Sequence, residues 1–362
     1  MLVKRLILAG AFFPALACDN SQDNMNDSSK ADASVAGAVV TGPAAPNAQM
    51  QAVLDELAAL NGKPFETLTA AEARKQPTPA DAVKALLTKQ GKPTTPEPGV
   101  TAVDRTIPGP GGAMPVRVYT PATGTGPFPV LVYYHGGGWV IANKEVYDAG
   151  PRSISKLANA VVVSVDYRQG PENRFPAAHE DAYAAYNWVL KNAASINGDP
   201  ARVAVGGESA GGGLAVSTSL MARDNGIKLP VYQMVVYPIA GTDTNTPSYM
   251  ENASAKPLGK AGMGWFFDNY MSGEADRRDP RVNLVEADLK GLPPTVIINA
   301  QIDPLRSEGE MLAERMRAAG VTVEQKTFMG VAHEFFGMAA VIDAAKEAQA
   351  LAANGLKAAF NR

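Results

Sequence analysis

The sequence predicts an α/β protein with a mostly parallel central sheet flanked by helices. Three observations carry that prediction. Short apolar runs such as Val161-Val-Val-Ser-Val165 recur along the chain, and runs of this kind mark strands buried on both faces. They alternate with helix-patterned segments, the order that builds crossover units over a parallel sheet. A Gly-x-Ser-x-Gly turn, Gly207-Glu-Ser-Ala-Gly211, stands where one such strand meets a helix.

The elements read in order as follows. Residues 1–17 give a short basic start, an apolar stretch and the ending Ala15-Leu16-Ala17, the pattern of a signal peptide and too short to span a bilayer as a helix. Cys18, the single cysteine, comes next and precedes a polar run. That arrangement resembles a bacterial lipoprotein signal, although Ala15 stands where leucine is usual. Lipidation at Cys18 is the expectation, with plain secretion and a free thiol as the alternative. The chain is therefore expected in the periplasm or cell envelope. Residues 18–46 are rich in Ser, Asp, Asn, Gly, Ala and Pro and bury too little apolar surface to fold, so they read as a disordered tether.

Residues 49–60 place Met50, Val53, Leu54, Leu57 and Leu60 on one helical face. A second helix is expected over 80–89, ahead of a proline-rich hinge over 92–99. Residues 47–98 read as the first half of a cap, before a main domain at 99–362. Strands are expected at 116–119, 130–134, 161–165, 203–206, 232–237, 295–299 and 323–328. Between 240 and 280 the alternation stops, and an aromatic-rich helix over 262–271 reads as a second cap segment.

The chemistry gathers at the strand ends. A serine between a strand and a helix on a turn this tight has its hydroxyl clear of the backbone, at the positive end of the helix. The plainer reading of Gly207–Gly211 is a small-residue turn. A second motif weighs against it: His135-Gly136-Gly137-Gly138-Trp139 directly after the apolar run 130–134. Three glycines after a strand let bare backbone amides approach a ligand. Such a loop, with the amide of Ala210 after Ser209, is one form of oxyanion hole, each donor contributing about 3–4 kcal/mol to a transition state.

The chain holds three histidines. His135 lies in the glycine loop, and His179 opens an amphipathic helix, where a solvated or capping role is expected. His333 follows a predicted strand, the right place for a general base. In the order Ser…Asp…His the acid lies between Ser209 and His333. Asp303, just past the apolar run 295–300, fits the role of orienting the imidazole. A helix N-cap ahead of Leu305 is a compatible second role.

Taken together, these motifs resemble those of the bacterial hormone-sensitive-lipase family of α/β-hydrolase esterases. The resemblance rests on His135-Gly-Gly-Gly-Trp139, on Asp166-Tyr-Arg-Gln-Gly-Pro-Glu172 with Phe175-Pro-Ala-Ala178, and on Gly207-Glu-Ser-Ala-Gly-Gly212. Asp303-Pro-Leu-Arg306 with Glu308-Gly309, and His333, complete it. Segments 50–60 and 68–74 match the family's N-terminal cap, so coverage runs from about residue 47 to the end. The resemblance implies an α/β-hydrolase fold and a serine carboxylesterase that takes small, short- to medium-chain esters through an acyl-enzyme. It implies a triad of Ser209, Asp303 and His333, oxyanion donors at Gly137, Gly138 and Ala210, and no cofactor. Trp139, Trp265 and Phe266 are candidates for the substrate pocket, core packing being the alternative. Dimers are common in the family, which leaves a homodimer open. Amidase, lactonase or carbohydrate deacetylase activity would use the same machinery. A non-catalytic receptor of the same fold would be expected to lack a triad member, and here all three stand.

Three positions depart from the family pattern: Glu208 where Asp or Thr is usual, Gly213 for a common Asn, and Ser307 for a common Asp. Arg168 and Glu172 are expected to form buried ion pairs that support the oxyanion loop, a catalytic carboxylate at Glu172 being the alternative.

Composition excludes other classes. With 33 Lys+Arg against 36 Asp+Glu, and no basic block, nucleic-acid binding lacks electrostatic support. Three histidines and one cysteine form no metal-ligand pattern, and no strand-GxGxxG-helix unit suggests a dinucleotide. Membrane association is expected only through a lipid on Cys18.

Overall fold

A computed structural model describes residues 44–361. The signal-peptide reading, Cys18 and the tether up to residue 43 lie outside the described residues.

Three helices come first: α1 (Ala48–Ala59), α2 (Ala70–Ala73) and α3 (Pro79–Lys89). Their starts are written in the sequence. Asn47 accepts the Met50 amide at 2.9 Å, Thr69 with Glu72 and Thr78 with Asp81 form capping boxes, and Pro79 opens α3. Next come β1 (Val100–Gly109), β2 (Gly112–Pro121), β3 (Phe128–Tyr134), α4 (Ala149–Ala158) and β4 (Val161–Val165). Then α5 (Ala177–Asn192) leads to β5 (Gly198–Glu208), and α6 (Ala210–Asp224) to β6 (Gln233–Val236). Short helices α7 (Pro247–Glu251), α8 (Lys260–Tyr270) and α9 (Glu274–Arg277) fill the interval where alternation was expected to stop. The chain closes with β7 (Thr295–Ile302), α10 (Arg306–Ala318), β8 (Val323–Ala332) and α11 (Asp343–Phe360).

The eight strands form one sheet in the order β1-β2-β4-β3-β5-β6-β7-β8. The β1/β2 and β2/β4 pairs are antiparallel, and every pairing from β4 onward is parallel. Alternate side chains of β3 separate the two faces: Val130, Val132 and Tyr134 pack with α5 and α6, whereas Leu131 and Tyr133 pack with α4 and α11. Both sets are fully buried, as a sheet covered by helices on both sides requires.

β1 was not expected. Most of its side chains are exposed, Val103 at 52%, so no apolar pattern announces it. Backbone bonding to β2 makes it a strand, in register from Val100 opposite Pro121 to Gly109 opposite Gly112. It is an edge strand with little to bury.

Candidate active site

Four chemistry-bearing residues each come first after a parallel strand: His135 after β3, Ser209 after β5, Asp303 after β7 and His333 after β8. All four strands point the same way, so the fold gathers them at the carboxyl edge of the sheet, where open α/β sheets place their ligands.

Ser209 holds a left-handed backbone, φ 56° and ψ −120°. Such a conformation is strained for a residue with a side chain and persists only where the surroundings fix it. Here they do: the Ser209 amide donates to Val236 O at 2.9 Å, and its carbonyl accepts from Ile239 at 3.1 Å and Gly213 at 3.2 Å. Ser209 Oγ lies 3.0 Å from His333 Nε2, and His333 Nδ1 lies 2.7 Å from Asp303 Oδ2. The other Asp303 oxygen accepts the Leu305 amide at 2.9 Å. That bond closes a local turn and is not the expected helix cap: the N-cap of α10 is Leu305, which has no side-chain cap, because the helix starts at Arg306, later than expected. With Nδ1–H given to a carboxylate, Nε2 is left as the acceptor for the serine hydroxyl.

The glycine loop faces Ser209. Gly137 and Gly138 have φ of 97° and 58°, and Gly137 O accepts the amides of Val140 (3.0 Å) and Ile141 (2.9 Å). The loop is braced behind by Tyr167, whose hydroxyl donates to His135 O at 2.8 Å while its ring stacks on the His135 imidazole at 4.3 Å. Among the described residues, no acceptor takes the amides of Gly137, Gly138 or Ala210. Burial lowers the His135 pKa, so this ring is neutral and structural.

The pocket candidates separate. Phe266 lies against the loop: a Cβ on Gly138 would stand 2.2 Å from its ring. Phe65, from the segment ahead of α2, packs on Phe266 at 5.0 Å and on Trp265 at 5.5 Å, and the Trp265 indole donates to Leu68 O at 3.0 Å. Trp139, by contrast, is buried in a stack with Tyr270 at 4.9 Å and Phe267 at 6.4 Å, so its ring is core.

Two further expectations need correction. His179 is neither solvated nor a cap; it is 1% exposed and shares a 2.8 Å hydrogen bond with the Tyr270 hydroxyl. Burial pushes its pKa down to about 3. Arg168 and Glu172 do form ion pairs, though with different partners. Arg168 pairs with buried Asp181 at 2.9 Å. Glu172 is exposed and takes Arg74, whose Nε also donates to Val140 O at 2.8 Å, just past the glycine loop. Beside Tyr167, a second brace on the loop therefore comes from the N-terminal segment.

The three departures each have a local reason. Ser307 and Ser248 exchange hydrogen bonds, both 3.0 Å, tying the Asp303 turn to α7. A Cβ on Gly213 would stand 2.5 Å from Ile239 O, so glycine lets α6 meet the chain after β6. Glu208 is fully buried, its two oxygens accepting from the hydroxyls of Tyr133 and Tyr237. Neither tyrosine was singled out in the sequence.

A family model described as the alpha/beta hydrolase fold matches residues 131–337. The chain is an α/β-hydrolase of the hormone-sensitive-lipase-like branch. The Mycobacterium tuberculosis carboxylesterase NlhH is 40% identical over 252 residues, 68% of this hydrolase and 79% of the relative. An ethyl acetate hydrolase of Pseudomonas putida is 31% identical over 251 residues, again 68% and 79%. The esterase structure from Pyrobaculum calidifontis superposes with TM-score 0.76 at 37% identity, covering 83% of this chain and 97% of that one.

The charge around His333 gives the pH response expected of a base at this position. Burial alone would lower its pKa, but the charge and hydrogen bond of Asp303, then Glu334 and Glu208, outweigh it and hold the imidazole above its ordinary 6.5. A base must be neutral to accept a proton, so kcat/KM, which reports the free enzyme, is expected to fall as pH drops through a midpoint above 6.5. A pH profile with its acid limb below 6.5, or none, would contradict this.

Proposed function

We propose that this hydrolase cleaves short- to medium-chain carboxylic esters through an acyl-enzyme on Ser209. The hydrogen-bonded line Ser209–His333–Asp303 at the head of α6, facing a glycine loop, carries the reading. His333 Nε2 takes the Ser209 proton as Oγ attacks the ester carbonyl, and Asp303 holds the imidazolium. The amides of Gly137, Gly138 and Ala210 receive the oxyanion, aided by the positive end of α6. His333 then protonates the departing alcohol, and water releases the acid by the same route. The carboxylesterase and ethyl acetate hydrolase relatives support the ester reading.

Chain length is argued from the roof. Ser209 is 4% exposed, and Phe65, Trp265 and Phe266 pack over the loop, which favours acyl groups of few carbons. A series of p-nitrophenyl esters tests this. Turnover is expected to peak between acetate and hexanoate and to fall by roughly tenfold or more at laurate. A maximum at laurate or beyond would overturn the short-chain reading.

A further inference from the structure

A second carboxylate reaches the reacting centre from outside the triad. Glu334 follows His333 directly and holds a left-handed backbone, φ 74° and ψ 0°, a conformation that costs free energy for a non-glycine residue. Its Oε1 stands 3.8 Å from His333 Nε2, the nitrogen that faces Ser209 Oγ. The same oxygen accepts the Tyr147 hydroxyl at 2.5 Å. Tyr147 in turn lies at the foot of the glycine loop: a Cβ on Gly136 would stand 2.1 Å from its hydroxyl and 3.1 Å from Ser209 Cβ. The Tyr147–Glu334 bond thus runs beside Ser209 from the loop to the histidine. Asp303 already orients the imidazole through Nδ1, so Glu334 is not needed for that. Its side chain keeps 19% exposure while that of His333 keeps 3%, so Glu334 is the side that water can reach.

We propose that Glu334, held by Tyr147, positions the water that hydrolyses the acyl-enzyme by accepting the O–H that His333 does not take. This deepens the acyl-enzyme reading and rests on it. In the acyl-enzyme Oγ is esterified and the Nε2 lone pair is free. One water with two hydrogen bonds of about 2.8 Å spans acceptors 3.8 Å apart. Nε2 takes one proton as the water oxygen bonds to the acyl carbon. Glu334 accepts the second O–H as a hydrogen bond and gains no proton. The tetrahedral adduct then collapses, the acyl–Oγ bond breaks, and the proton on Nε2 returns to Ser209. Acylation has no such need, because the leaving alkoxide takes the single proton of Nε2.

Methanol separates the two steps, since it has one O–H to give and none for Glu334. The product ratio of methyl acetate to acetate is fixed after the acyl-enzyme forms, whichever step limits turnover. In Glu334→Met, which keeps the length and removes the carboxylate, that ratio is expected to rise by roughly tenfold. Acylation, read from the p-nitrophenol burst or from kcat/KM, is expected to stay within about threefold. The double variant Tyr147→Phe/Glu334→Met leaves no orphaned hydroxyl and is expected to show the same rise, so poor folding of the single variant does not spare the proposal. A ratio unchanged in either folded variant, or hydrolysis and methanolysis falling together, overturns it. A wild-type ratio that differs between p-nitrophenyl acetate and phenyl acetate would instead remove the acyl-enzyme itself.

Discussion

Ser209→Ala is expected to leave a folded protein whose turnover of p-nitrophenyl acetate is lower by roughly five to six orders of magnitude. The serine side chain makes one hydrogen bond, to His333, and the bonds that hold the turn to β6 and to the chain beyond it are all main-chain. Alanine keeps the same Cβ, so the left-handed backbone is no more strained than before. What goes is the atom that bonds to the acyl carbon. The glycine loop and binding alone leave a residual rate of roughly 10³–10⁴ over water. Turnover together with a thermal melt checks this. Retention of more than about a hundredth of wild-type turnover in a folded variant would place the nucleophile elsewhere.

The largest expected loss of stability is at Gly211→Ala. A Cβ there would stand 1.9 Å from Tyr134 O, 2.5 Å from Tyr134 C and 2.6 Å from His135 O. All three are backbone atoms of β3 and the glycine loop, with no side-chain end free to swing away. Relief requires α6 to back off the sheet, carrying Ser209 from His333. Overpacking of this kind costs about 3 kcal/mol or more, a melting shift of roughly 10 °C, and activity should go with it. The same substitution at Gly264, inside α8 with nothing within 4 Å of its Cβ, is expected to stabilise by about 0.5–1 kcal/mol. Melting curves of the pair decide the matter. Equal, small shifts would mean that α6 can slide on β3.

The sheet and the site differ in how far they could be read ahead of the structure. Val161-Val-Val-Ser-Val165 announces a strand because both faces are buried; β1 announces nothing, because its pairing is a property of backbone and its side chains face outward. The triad was legible: Ser209 and Asp303 each follow an apolar run and His333 a mixed-polarity predicted strand, and the fold brings those strand ends together. His179 was misread because its partner, Tyr270, arrives from 91 residues away. Tyr147, Tyr133, Tyr237 and Glu334 carry no local signal either. They converge only once β3, β5, β6 and β8 lie side by side, and nothing in a short window of sequence records that adjacency.

The roof over the glycine loop is shared between distant parts of the chain. Phe65 closes on Phe266 and Trp265, and Arg74 grips Val140, whereas the reacting groups all hang from the sheet. The door at Phe65 is therefore built apart from the engine, with Arg74 as the link between them. Changes at Phe65 reshape the entrance without touching Ser209, Asp303 or His333, whereas changes at Arg74 reach the glycine loop through Val140. For a designer or for natural drift, Phe65 is the place where new tastes can be tried at the least cost to the chemistry.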